Sequence, residues 1–240
     1  MTINSLCQSL KNLAIIPARG GSKGIKDKNI VLVNNKPLIY WSINSAINTP
    51  CISRVVVSTD SNKIASLAKQ YGAEVPYLRP VELADDNSNT EDALLHLLEW
   101  LNINESYFPD NIILLQPTSP IRLKNSIMNA YNKFIKEDAD SLVSVTREKI
   151  FLWKMHPFVK SLYNFKERPL RQNFKDNELI FKENGSIYIT RANILKENKN
   201  RLGGKIILFE QSFEESVDID NFEDLNTCEK IMKKISYENI

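Results

Sequence analysis

Residues 13–29, LAIIPARGGSKGIKDKN, begin as a buried strand and end as a cationic loop. The apolar run Leu13-Ala14-Ile15-Ile16 has the continuous hydrophobicity of a strand covered on both faces. It breaks at Pro17 into Arg19-Gly20-Gly21-Ser22-Lys23-Gly24, followed by Lys26, Lys28 and Asn29. Three glycines free the backbone to turn N–H groups toward an anion, and the cations supply the countercharge. A strand feeding such a loop near the start of an α/β chain is a common seat for a nucleotide triphosphate. Two other phosphate loops do not fit. The Walker loop requires Gly-x4-Gly-Lys-Ser/Thr, but Gly24 is followed by Ile25 and Lys23 precedes the glycine. The dinucleotide loop requires Gly-x-Gly-x-x-Gly, which this stretch does not supply. The competing reading is a basic, glycine-rich surface turn, and the surrounding Arg19, Lys26, Lys28 and Asn29 weigh against it.

Working outward, strand-like runs alternate with segments of helical period. Strands are expected at Arg54–Thr59, Glu74–Leu78, Asn111–Leu115, Ser141–Val145, Asn184–Thr190 and Lys205–Phe209. Helices are expected at Pro37–Asn48, Asn62–Tyr71, from Thr90 through Leu101, at Ser126–Lys136 and from about Asn221 to Ile235. Short connections between them predict an α/β fold, a mostly parallel sheet with helices on both faces. The rhythm fails from Thr146 to Lys182, a stretch rich in Phe, Lys, Arg and Asn. An aperiodic stretch of that length inside one domain is usually functional.

The 240 residues fit a single domain with that excursion as an appendage. A net charge of +2 implies no strong field for nucleic acid or a membrane. The opening MTINSLCQSLKNL has neither the basic region nor the long apolar core of a secretion signal. Cys7, Cys51 and Cys228 are odd in number and scattered, so they read as reduced thiols in a cytoplasmic protein. With His96 and His156 the only histidines, any metal must rest on carboxylates and phosphate oxygens, which suits magnesium.

Asp218 and Asp220 lie two apart on an apparently extended segment, which would turn both carboxylates to one face. Such a pair can share a divalent cation with a triphosphate. Asp220-x-x-Glu223 also fits a helix-capping box with Asp220 as the cap. Gln116 stands at the carboxyl end of a buried strand, the edge where open α/β sheets bind ligands. It could instead only satisfy the proline-rich turn that follows. Arg79 and Thr90 flank a polar loop, where an ordinary surface residue and a helix cap are the bland alternatives. Trp41 and Trp100 read as packing residues. Arg168, Arg171 and Lys182 lie in the excursion, where charges are usually solvated.

The blocks ARGGSKGIKDKN, VVVSTD at 55–60, LRPVELADD at 78–86, LLQPTSP at 114–120, ENGSIYIT at 183–190 and VDID at 217–220 bring a resemblance into view. They stand in the order seen in the cytidylyltransferases that activate sialic and related nonulosonic acids. The chain resembles that family from about Leu13 to Ile235. The resemblance implies a Rossmann-like nucleotidyltransferase fold whose excursion at about 146–182 is a dimerisation arm. It implies transfer of CMP from CTP to a nine-carbon α-keto acid sugar, with Mg²⁺ as cofactor and a homodimer as the working unit. Arg19, Gly20, Gly21, Ser22, Lys23, Lys28 and Asn29 would wrap CTP, with Arg79 and Thr90 lining the nucleotide pocket. Gln116 and Tyr188 would contact the sugar, and Arg171 and Lys182 would reach it from the partner subunit. Asp218 and Asp220 would hold the metal, and Arg19, Lys23, Gln116, Asp218 and Asp220 would form the catalytic set. Where sialate-specific relatives often read Phe-Arg-Pro-Asn-Gly, this chain has Phe181-Lys182-Glu183-Asn184-Gly185, so legionaminic acid stands beside N-acylneuraminate as acceptor. Rivals are a nucleotidyltransferase for a KDO-like sugar, a metal-dependent glycosyltransferase and a non-catalytic sugar-nucleotide sensor.

Overall fold

The computed structural model describes residues 10–22, 24–85, 88–168, 170, 179–235 and 240. Strand β1 (Asn12–Pro17) runs into the glycine loop, which closes in a 3-10 turn at Lys28–Ile30. A small hairpin follows, β2 (Leu32–Val33) and β3 (Lys36–Pro37). Its turn residues Asn34 and Asn35 have φ of 50 and 64°, the left-handed pair a two-residue hairpin turn needs and asparagine tolerates. Helix α1 (Leu38–Ile47), β4 (Arg54–Ser58), α2 (Asn62–Gln70) and α3 (Thr90–Glu105) come next. Then come β5 (Asn111–Leu114), α4 (Ser126–Lys136) and β6 (Ser141–Glu148). The excursion carries β7 (Trp153–Lys154) and β8 (Lys160–Ser161), and the chain returns through β9 (Ile180–Arg191). Helix α5 (Ala192–Asn198), β10 (Ile206–Gln211) and α6 (Phe222–Lys234) complete it.

The six-stranded sheet has the order β10-β6-β9-β5-β1-β4. Three pairings are parallel, and β9 runs antiparallel to both of its neighbours. The reversal follows from the connection: among the described residues no helix lies between β6 and β9, which pair as the legs of a long hairpin. Alternation along β1 divides the core. Ala14 and Ile16 face a layer built from α1, α2 and α4, through Ile43, Ile64, Tyr131 and Phe134. Leu13 and Ile15 face the other layer, where α3 supplies Leu94, Leu97, Leu98 and Leu101. A third cluster ties the glycine loop to the C-terminal part, joining Ile25, Val33, Trp41, Ile219, Cys228 and Met232.

Several expectations need correcting. Glu74–Leu78 is not a strand. Only Glu74 bridges to β4, accepting from the Val57 N–H and donating to the Val55 carbonyl, each at 2.9 Å. Pro76, which has no N–H, prevents further pairing. The excursion is shorter than predicted, because Thr146–Glu148 and Ile180–Lys182 extend the β6–β9 ladder. The final helix is capped by Asn221 in a box with Asp224, not by Asp220 with Glu223. Among the described residues no helix is long and apolar enough to cross a membrane.

Candidate active site

The carboxyl ends of β1 and β5 open onto a cleft of about 570 Å³. Arg19, Ser22, Lys28, Asn29, Arg79, Thr90, Gln116 and Asp220 all line it. Lys23 and Arg171 lie outside the described residues. The cleft is cationic, and its shape depends on how the loop is pinned. Asn29 is buried and donates to the Arg19 carbonyl at 2.9 Å, folding the loop on itself. Arg19 in turn donates to the Asp85 carbonyl at 2.9 Å, joining the loop to the polar segment across the cleft.

The glycines do different work from one another. The Gly20 N–H donates to Asp60 Oδ1 at 2.8 Å, so it is committed to a carboxylate of the protein. Gly24 lies so near Asp220 that a Cβ there would stand 2.1 Å from the Asp220 carbonyl oxygen. A Cβ on Gly21 would meet nothing within 4 Å. Close approach of the loop to the VDID segment is what the sequence requires of Gly24.

Arg79 carries the clearest sign of a missing partner. Only 6% of it is exposed, and its Nε has no hydrogen-bond partner among the described residues. Its Nη2 stands 4.0 Å from Asp60 Oδ1. Burial lowers its pKa from the ordinary value, while Asp60 pulls the other way. A buried guanidinium with an idle N–H at a cleft wall is suited to an anionic or carbonyl-bearing ligand.

Asp60 itself was not singled out for this role by sequence. Asp60, the last residue of VVVSTD, and Ser61, which follows it, are both suited by type to cap α2, and Ser61 takes that role, accepting from the Ile64 N–H at 3.5 Å. That frees Asp60 to anchor Gly20 and face Arg79. Likewise Asn89 caps α3, so Thr90 is left in the first turn, on the cleft wall.

A second cleft of about 300 Å³ adjoins the first, lined by Gln116, Lys182, Glu183, Gly185, Tyr188 and Asp218 among others. Gln116 lines both clefts. Tyr188 donates to Glu183 at 2.5 Å. Burial and that bond both raise the phenol's pKa, so Tyr188 stays protonated. Asn184 is the residue that shapes this wall, and the pattern alone did not reveal it. It is buried, accepts from Ser144 Oγ at 2.6 Å, and donates to Thr146 Oγ1 at 3.2 Å and Gln211 Oε1 at 3.0 Å. Those bonds hold the irregularity where the β6–β9 register shifts. The signal for it was the Asn-Gly pair inside an otherwise strand-like run.

Asp218 and Asp220 flank Ile219, which is fully buried and donates its N–H to the Thr118 carbonyl at 2.8 Å. Asp220 opens on the first cleft and Asp218 on the second. Lys28 donates to the Ile219 carbonyl at 2.8 Å and pairs with Asp220 at 3.1 Å. No group of three His, Cys, Asp or Glu side chains able to hold a metal occurs among the described residues. The donors present are exposed carboxylate oxygens, a set suited to a hard cation that keeps water and takes further oxygens from a phosphate.

A cationic cleft at the carboxyl edge of a largely parallel sheet, with carboxylates at its rim, defines a nucleotidyltransferase of Rossmann-like architecture. The model of the cytidylyltransferase family matches residues 13–239, and the chain belongs to that family. Among curated relatives it is 38% identical over 232 residues to the CMP-N,N'-diacetyllegionaminic acid synthase of Legionella pneumophila, covering 93% of this chain and 97% of that one. It is 30% identical to the pseudaminic acid cytidylyltransferase of Campylobacter jejuni, covering 96% of this chain and 99% of that one. It is 31% identical to the N-acylneuraminate cytidylyltransferase of Escherichia coli, covering 96% of this chain and 54% of that longer one. In fold it is similar to a CMP:2-keto-3-deoxy-manno-octonic acid synthetase solved with CTP. That match has a TM-score of 0.67 at 14% identity and covers 93% of this chain and 99% of that one.

Proposed function

We propose that the protein transfers CMP from CTP to the anomeric hydroxyl of a nine-carbon α-keto acid sugar of the nonulosonic class and releases pyrophosphate. The observation that carries this reading is the meeting of two clefts at Gln116, one rich in cations and one offering Lys182, Tyr188 and Glu183. The triphosphate would lie among Arg19, Lys28 and Arg79, with Lys23 and the loop glycines around it. The sugar would lie in the second cleft, its carboxylate toward Lys182. The anomeric oxygen then forms a bond to the α-phosphorus as the bond to the β-phosphate breaks. Pyrophosphate leaves with the electron pair, and the hydroxyl proton passes to solvent. Such an in-line displacement needs positioning and charge neutralisation more than covalent help. Asp218 and Asp220 would hold Mg²⁺, which supplies neutralisation of phosphate charge when bound.

The legionaminic acid synthase among the relatives favours a legionaminic-type acceptor over N-acylneuraminate, in keeping with Lys182-Glu183 in the second cleft. The arm supports a homodimer, because Trp153, Met155, Phe158, Val159, Leu162 and Phe165 are all more than half exposed on one chain. In that dimer Arg171 would serve the neighbouring site, whereas Lys182, expected there too, lines the second cleft of its own chain. CTP supply places the work in the cytoplasm.

The test is incubation with CTP, Mg²⁺ and a panel of nonulosonic acids, reading pyrophosphate release and product mass. A CMP-sugar from a legionaminic-type acid, with little product from UTP, is the expected result. Absence of product from every acid, or equal use of UTP, would overturn the reading.

A further inference from the structure

Arg122 is one of the largest fully buried side chains, with 1% of its surface exposed, and no role has yet been given to it. Its guanidinium grips two separate stretches of backbone. Nη2 donates to the Gln116 carbonyl at 2.9 Å and to the Ser186 carbonyl at 2.8 Å, and Nε donates to Ser186 again at 3.1 Å. Nη1 donates to Ser42 Oγ at 3.0 Å, and that hydroxyl donates to the same Gln116 carbonyl at 3.3 Å. Among the described residues no carboxylate pairs with Arg122. Glu215 acts on it only through space, while burial lowers its pKa to about 9. A buried cation held only by neutral oxygens is costly, and an apolar side chain of similar size would serve the fold better.

What the clamp holds is the junction of the two clefts. Gly185, at φ +72°, lies against Gln116 so closely that a Cβ would stand 2.5 Å from Gln116 Oε1. Gln116 and Ser186 are therefore the two sides of one contact, and a single guanidinium sets the spacing between them. We infer that Arg122 is a positioning residue, which fixes the Gln116 amide and the Gly185–Ser186 wall so that the sugar half of the reaction is aligned. The inference rests on the function proposed above. Arg122 lines neither cleft, so its effect passes through Gln116 and the Gly185–Ser186 wall, and bears more on the sugar side than on CTP capture by the glycine loop.

The experiment compares Arg122→Lys, Ser42→Ala, Gln116→Ala and the two double variants that contain Gln116→Ala. Calorimetry reads the affinity for CTP alone and for the CMP-sugar made by the wild-type enzyme. Lysine keeps the charge but cannot bridge both carbonyls. Arg122→Lys should weaken product binding by about tenfold and leave CTP binding within about twofold. In the Gln116→Ala background the same change should cost clearly less, because one of the two groups it acts through is gone. A merely structural role would give equal losses with and without Gln116, or would weaken CTP as much as product, and either result overturns the inference. If Arg122→Lys does not fold, Ser42→Ala carries the same cycle with a smaller loss, and no loss there overturns it as well. If the wild-type enzyme forms no CMP-sugar at all, the proposed function falls first, and that failure is distinguishable from additivity in an active enzyme.

Discussion

Gly24→Ala adds one methyl group where the structure leaves no room for it. Gly21 does not use a left-handed backbone, so alanine is acceptable there on conformational grounds. Gly24 is set apart by contact. At Gly24 the new Cβ would meet the Asp220 carbonyl oxygen at 2.1 Å, and ordinary contact begins at 3.4 Å, a deficit of 1.3 Å. Neither side yields easily. Ile25, beside the glycine, is 2% exposed, and Ile219, beside Asp220, is fully buried in the same cluster. Unseating either gives up part of the roughly 1.5–3 kcal/mol that burying such a side chain contributes. Overpacking of this kind costs about 1–3 kcal/mol, which at this chain length lowers Tm by about 2–12 °C. Displacement also separates the phosphate loop from Asp220 and Lys28, and a misplacement of about 1 Å can cost about 10²-fold in rate. The assays are a thermal scan of the ligand-free protein and pyrophosphate release from CTP. Gly21→Ala, with nothing near its Cβ, should melt with the parent. A Gly24→Ala protein that also melts with the parent and turns over normally would refute the close approach of loop and VDID segment.

Asp218→Asn and Asp220→Asn should each lower turnover by about 10²–10³-fold. Because Asn221 caps α6, loss at Asp220 should come without a fall in Tm, and normal rates in both variants would remove the metal role. Glu91 is disfavoured as an anion by burial, but its hydrogen bond and charge pairing with Arg201 outweigh that and hold its pKa below 4.5. Its stabilisation is then present above the unfolded value and lost as pH falls through the folded one. The Tm gap between parent and Glu91→Gln should be full at neutral pH and close in acid, and a gap independent of pH would exclude the pairing. Phe158, 81% exposed, should lie in the dimer contact, so Phe158→Glu should halve the mass seen by sedimentation. In the proposed dimer, mixing Arg171→Ala with Asp218→Asn subunits should restore activity, and no recovery after verified exchange would place Arg171 in its own subunit's site.

The layered core was legible because Leu13–Ile16, Arg54–Ser58 and Asn111–Leu114 are apolar runs whose burial on both faces leaves one reading. Helix α4 was legible to the residue, since Ile127, Ala130, Tyr131 and Phe134 repeat at helical spacing. The antiparallel β9 was not, because strand direction depends on the connection rather than on the strand's own residues. Nor was the division of labour among the glycines. Gly24 is needed for contact with a segment nearly two hundred residues away, and Gly20 for a bond to Asp60. Asp60, Arg122 and Asn184 escaped for the same reason. Each acts through partners distant in sequence, and a lone polar residue in a loop or strand looks alike whether solvated or clamped.

Both proposed substrates are anions, and they must meet. The first cleft offers Arg19, Lys28 and Arg79 to a triphosphate, and the second offers Lys182 to a sugar carboxylate. Between them stands Gln116, a neutral amide that can donate to one substrate and accept from the other. A carboxylate there would repel both, and a lysine would draw the two anions to one point charge without setting their geometry. Asp218 and Asp220 fit the same logic only with a cation among them. In the ligand-free molecule Lys28 supplies that charge to Asp220 at 3.1 Å. When a triphosphate claims Lys28, Asp220 must take a replacement, and the proposed magnesium arrives with the phosphate oxygens that complete its shell. Metal and nucleotide binding should therefore be mutually dependent, with neither tight alone.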